Sequence, residues 1–108
     1  MTDRELLELA AKAAGVEGEW NFGQTNCYYA GSLFYLTKPK EHTPWNSITS
    51  NGDAFRLAVK LGVSITFAYE YVYTIGDSDV NEHYGNDPYA ATRRAITRAA
   101  AEIGRQMK

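Results

Sequence analysis

The sequence predicts an α+β domain in which three capped helices cover one face of a small antiparallel sheet, in the order α-β-α-β-α. Two observations carry this. Three segments with apolar residues at helical spacing each begin at a residue able to cap a helix, and two of them stop at glycine. Between them lie segments rich in aromatic and β-branched residues, one of which alternates with a period of two.

The first helix follows Thr2-Asp3-Arg4-Glu5, a capping box in which Thr2 and Glu5 satisfy each other's end of the backbone. Leu6, Leu7, Leu9, Ala10, Ala13 and Ala14 form its stripe, and Gly15 ends it. The second begins at Ser50 as N-cap, with Asp53 favourably placed for the helix dipole. Phe55, Leu57, Ala58 and Leu61 recur at helical spacing before Gly62. Asp87-Pro88 opens the third, a cap followed by proline at the first helical position. Its apolar face runs through Ala91, Ala95, Ile96, Ala99, Ala100, Ile103 and Met107.

Cys27 to Thr37 reads as a strand with a bulge, bend or turn near Gly31, and residues 19–22 as a further short strand. From Val63 to Ile75 the odd positions are Val, Ile, Phe, Tyr, Tyr, Tyr and Ile, so they share one side of an extended chain. The run exceeds the usual strand length, which predicts a bend or break near Tyr69-Glu70 and allows hairpins. Gly76 to Asn86 is the most loop-like stretch and is expected to be exposed.

With 108 residues the chain reads as one domain, and an apolar fraction of 44% beside 22% charged residues excludes disorder. No apolar run approaches the ~20 residues of a membrane span, and the acidic amphipathic start is unlike a signal peptide. Cys27 is the sole cysteine, which fits a reducing cytoplasm. A net charge of −2 argues against direct nucleic-acid binding. That total conceals an acidic middle, with Glu70, Asp77, Asp79, Glu82 and Asp87 and no Lys or Arg between Leu61 and Thr92, and a basic end from Arg93.

The pattern W-N-x-x-T-x-x-G-D-A-x-R-L-A-V-K-L at Trp45 to Leu61 resembles a family of small phage and prophage proteins. The opening T-D-x-E-L-L at Thr2 to Leu7 and the A-A-T-R-R-A-I-x-R-A-A-A-E-I segment at Ala90 to Ile103 are similar to the ends of those proteins. Together the matching stretches cover both ends and the centre. Members of the family often read W-N-P-L-T-D-D-G-D-A, where this chain has Ser47, Ile48, Ser50 and Asn51. The replacement keeps a capping residue and argues against a metal role for that turn. The resemblance implies a bacterial or phage cytoplasmic setting and brings no catalytic residues with it.

The polar residues of the 45–53 turn are accounted for structurally: Trp45 as a core or hinge aromatic, Asn46 as a turn residue, Ser50 and Asp53 as caps. No phosphate-loop pattern accompanies Gly52. Cys27, His42 and His83 match no zinc spacing or catalytic pair. Asp77-Ser78-Asp79 with Glu82 and His83 lacks the glycine and terminal glutamate of a calcium loop. No catalytic, metal or cofactor site is therefore expected, and no enzyme.

Two surfaces remain. Tyr69, Tyr71 and Tyr73, with Glu70, Asp77 and Asp79, would suit a basic surface on a partner protein if they project beyond the core, since aromatics concentrate binding energy and acids speed encounter. The structural alternative is that the tyrosines continue the core row from Val63. The leading expectation is a non-enzymatic phage accessory protein that binds a host protein, of the kind that inhibits a defence machine as anti-CRISPR proteins do. The alternative is a small-molecule or nucleotide-sequestering module using Arg93, Arg94, Arg98 and Arg105 on the last helix. A homo-oligomeric structural protein is the third reading.

Overall fold

Caps set the helices where the sequence places them. The computed structural model describes residues 2–15, 18–20, 33–38, 41–75 and 80–107, with backbone alone at 18–20, 33–38 and 41–44. Helix α1 spans Asp3–Ala14; the Thr2 hydroxyl accepts the Glu5 amide, and Gly15 closes the helix at φ 73°. Helix α2 spans Asn51–Leu61, with the Ser50 hydroxyl accepting the Asp53 amide and Gly62 left-handed at the far end. Helix α3 spans Pro88–Gln106, and the Asp87 side chain accepts the amides of Tyr89 and Ala90.

Among the described residues, three antiparallel strands lie between each helix and the next, so the order α-β-α-β-α holds, with two sheets in place of one. The first contains β1 (Gly18–Trp20), β2 (Leu33–Lys38) and β3 (Glu41–Trp45). The expected strand from Cys27 corresponds to β2 at its C-terminal end; Cys27 itself lies outside the described residues. Strand β3 was not expected, and Pro44 sits in it. It tolerates the proline as an edge strand, where a missing amide need not break the ladder.

The second sheet contains β4 (Ser64–Phe67), β5 (Tyr71–Ile75) and β6 (Val80–His83). The 63–75 run does break at Tyr69-Glu70, and the chain reverses there into a hairpin. The reversal corrects the face assignment. Ile65 stands opposite Thr74, and Phe67 opposite Val72, so the even positions of β5 face the same way as the odd positions of β4. Val72 and Thr74 are the buried residues of β5, while Tyr71 and Ile75 are exposed. A second correction concerns 76–86, expected to be loop: residues 80–83 pair with β5. The sequence VNEH is short and mostly polar, and only its pairing makes it a strand.

Helix α3 forms the centre. One cluster joins Leu7, Ala10, Trp45, Leu57 and Ala58 to Ile96 and Ala100; another joins Val72 and Val80 to Ala91, Ala95 and Ala99. Buried Thr97, Ala101 and Gly104 widen its expected stripe, and Met107 is exposed. Full burial of a side chain such as Leu7 contributes roughly 1.5–3 kcal/mol. Asp3 meets Arg94, and the Lys12 ammonium donates to the Met107 carbonyl, so α1 and α3 run in the same direction. Small buried residues on both helices, Ala10, Ala11 and Ala14 on α1 and Ala100, Ala101 and Gly104 on α3, let the backbones approach closely where Gly104 meets Leu9. Phe55 departs from expectation: it faces outward, and Ala54, Leu57 and Ala58 make the buried side of α2.

Candidate partner-binding surface

The turn that joins the two halves is structural throughout. Trp45 is buried in the core. The Asn46 side-chain oxygen accepts the amides of Ile48 and Thr49, an Asx-type turn. The Asp53 carboxylate reaches back to the Asn46 amide at 3.0 Å and pairs with Arg56 at 2.8 Å. Ser47 and Thr97 form a fully buried hydroxyl pair at 2.7 Å. Because Thr97 already donates its one proton to the Arg93 carbonyl, Ser47 is the donor of that pair. Ser47 and Asn51 thus each bond to α3.

The β4–β5 hairpin carries the tyrosines. Its two-residue tip, Tyr69-Glu70, is closed by the Ala68 amide donating to the Tyr71 carbonyl at 2.9 Å. Tyr84, just past β6, braces it: its hydroxyl donates to the Ala68 carbonyl at 2.7 Å, and its amide to the Glu70 carbonyl at 3.1 Å. Tyr69 is 94% exposed at this tip and Glu70 is exposed beside it. Tyr71 and Tyr73 lie on the face of the sheet turned away from α3, with ring centroids 6.0 Å apart. His83 joins them from β6, 6.1 Å from Tyr71. Tyr71 is 39% exposed and Ile75 extends the patch. The core-row alternative for these tyrosines is therefore overturned by the hairpin.

The expected acids distribute unevenly. Asp77 and Asp79 lie outside the described residues. Glu82 points inward from β6 and is shared by Arg94 and Arg98. Glu70 stays with the tyrosines. No group of His, Cys, Asp and Glu among the described residues is arranged to hold a metal ion, and no described helix is long and apolar enough to cross a membrane.

The four arginines do not form a shared groove. Arg93 turns to α2, donating to the Ile48 carbonyl and the Asn51 side chain, both at 2.7 Å. Arg94 meets Asp3 at 3.0 Å. Arg98 donates to the Asn81 carbonyl as well as to Glu82. Arg105 pairs with Glu102, one turn away. Arg93, Arg94 and Arg98 tie α2, α1 and β6 to α3.

A second exposed apolar region was not expected. Phe55, Phe67 and Tyr89 are 68%, 65% and 70% exposed, and they rim a trough between α2, β4 and the start of α3. The sequence does hold a trace of it. Phe55 and Val59 are four apart on α2 and off the side of Leu57 and Leu61, so that helix has more apolar surface than one core contact requires.

Compared with known proteins, the chain matches no family model, no curated protein and no solved structure.

Proposed function

We propose that the chain is a non-enzymatic phage or prophage accessory protein that binds a host protein through the tip and outer face of the β4–β5–β6 sheet. The observation that carries this reading is the division of labour along β5. Val72 and Thr74 close the core, leaving Tyr71 and Tyr73 beside His83 on the opposite face, with Tyr69 in solvent at the tip. Aromatic residues released from the core and held by a braced hairpin provide a rigid contact surface, with little ordering to be done on binding. Glu70 favours a basic partner surface. A host defence or nucleic-acid-handling protein fits that charge, and inhibiting it is the role we assign. A groove shared by all four arginines draws less support, since Arg94, Arg98 and Arg105 each meet a carboxylate.

The test is capture of host proteins by the tagged chain from bacterial lysate, followed by a binding titration with the purified captured protein. Tyr71→Ala plus Tyr73→Ala is expected to keep the circular dichroism of the parent and to weaken binding by at least ten-fold, a loss of about 1.4 kcal/mol. Unchanged affinity in the folded double variant would rule this surface out. A mass that rises with concentration in the purified chain would point to self-assembly instead.

A further inference from the structure

We infer that the trough between α2, β4 and the start of α3 binds a small amphipathic anion, an apolar chain or ring carrying one carboxylate. Its volume of about 620 Å³ lies in the range of small-molecule sites. Ala54 and Ala58 of α2, Ile65 and Phe67 of β4, and Ile96 of α3 supply apolar wall. Of the polar residues in this lining, Asn51 is engaged by Arg93 and the Thr92 hydroxyl donates to the Pro88 carbonyl, which leaves Arg93 to meet a ligand. Its Nε and Nη1 are occupied by the Ile48 carbonyl and the Asn51 side chain, both neutral. Among the described residues no carboxylate pairs with it and its Nη2 has no acceptor. Arg94, Arg98 and Arg105, by contrast, each meet a carboxylate. A fixed guanidinium with a free edge, beside an apolar wall, recognises a carboxylate attached to hydrocarbon. Asp87, next in sequence to Pro88 of the lining, is engaged in capping α3.

The same lining disfavours a peptide. A peptide laid along the trough would bring most of its amides and carbonyls against alanine, isoleucine and phenylalanine side chains, which offer no partners, while Asn51 and Thr92 are already engaged. An acyl chain has no such requirement. The trough is also separate from the tyrosine face: Phe67 belongs to the side of the sheet that looks toward α3, and Tyr71 and Tyr73 to the opposite side. The two readings therefore stand or fall separately.

Titration calorimetry of the purified chain with sodium hexanoate, octanoate and decanoate tests it, with octan-1-ol as the uncharged control. Each methylene buried is expected to tighten binding by up to roughly four-fold. Octanoate should bind about ten-fold more tightly than octan-1-ol through the Arg93 charge. Phe67→Ala and Tyr89→Ala, both at exposed positions, should weaken every ligand with unchanged circular dichroism. Arg93→Gln should remove the preference for the carboxylate; since Arg93 also ties α2 to α3, the acid-against-alcohol comparison on the parent chain decides if that variant does not fold. Equal binding of octanoate and octan-1-ol, no gain with chain length, no binding by the parent, or parent-like affinity in both aromatic variants would overturn the proposal.

Discussion

Thr74 is the residue at which the core is least consistent. It is 1% exposed, and its hydroxyl has no hydrogen-bond partner among the described residues. Ser47 and Thr97, equally buried, satisfy each other, with Thr97 bonding back to its own helix. A buried hydroxyl without a partner forfeits hydration and gains nothing in exchange, whereas a methyl in its place has no such loss. Thr74→Val keeps the β-branched shape that suits a strand. The substitution is expected to stabilise the fold by about 1 kcal/mol, read as a higher urea midpoint at unchanged slope. A drop of similar size would mean that the hydroxyl is satisfied after all.

Among the elements, the α1–α3 pair shows where local preference and packing oppose each other. Gly104 lies in the last turns of α3, where a Cβ would overlap the backbone carbonyl of Leu9. In an isolated helix, Gly→Ala would stabilise by up to about 1 kcal/mol. Here the obstructing atoms are backbone and cannot rotate aside, so overpacking dominates. Gly104→Ala should lower stability by about 1–3 kcal/mol in chemical denaturation, and a gain would show that the two helices pack more loosely than this. The sequence holds no sign of that contact, because the pairing of α1 with α3 is non-local. What it did hold was local: Thr2, Ser50 and Asp87 cap the helices that their side chains predict, and the break at Tyr69-Glu70 falls where strand length required one. The outward face of Tyr71 and Tyr73 was hidden, since period two defines two sides without saying which is inside, and a hairpin exchanges them. Strand β6 was hidden because VNEH has little strand preference without β5 beside it. Phe55 was misread as part of the core stripe of α2: the trough that it rims forms only when α2, β4 and α3 meet.

For the molecule as a whole, α3 is the element common to both cores. Leu7 and Trp45 reach it on one side through Ile96 and Ala100, and Val72 and Val80 on the other through Ala91, Ala95 and Ala99. The network Asp3–Arg94–Glu82–Arg98 spans the same seam, joining the start of α1 to β6 across α3. Neither cluster can therefore lose its packing without exposing a face of the helix on which the other is built. Unfolding should be a single cooperative transition, and the slowest hydrogen exchange should fall in the middle of α3. Leu7→Ala, in the first cluster, should cost about 2–5 kcal/mol, and Val72→Ala, in the second, somewhat less because it deletes fewer carbons. Each variant, made in a Trp20→Phe background so that fluorescence reports Trp45, should move the far-ultraviolet circular dichroism and tryptophan fluorescence transitions together, although Trp45 belongs to the first cluster alone. A Val72→Ala variant in which sheet signal is lost at lower urea than the Trp45 signal would mean that the β4–β5–β6 sheet unfolds independently. The tyrosine face would then ride on a separable lobe, and variants there would have to be judged against the stability of that lobe alone.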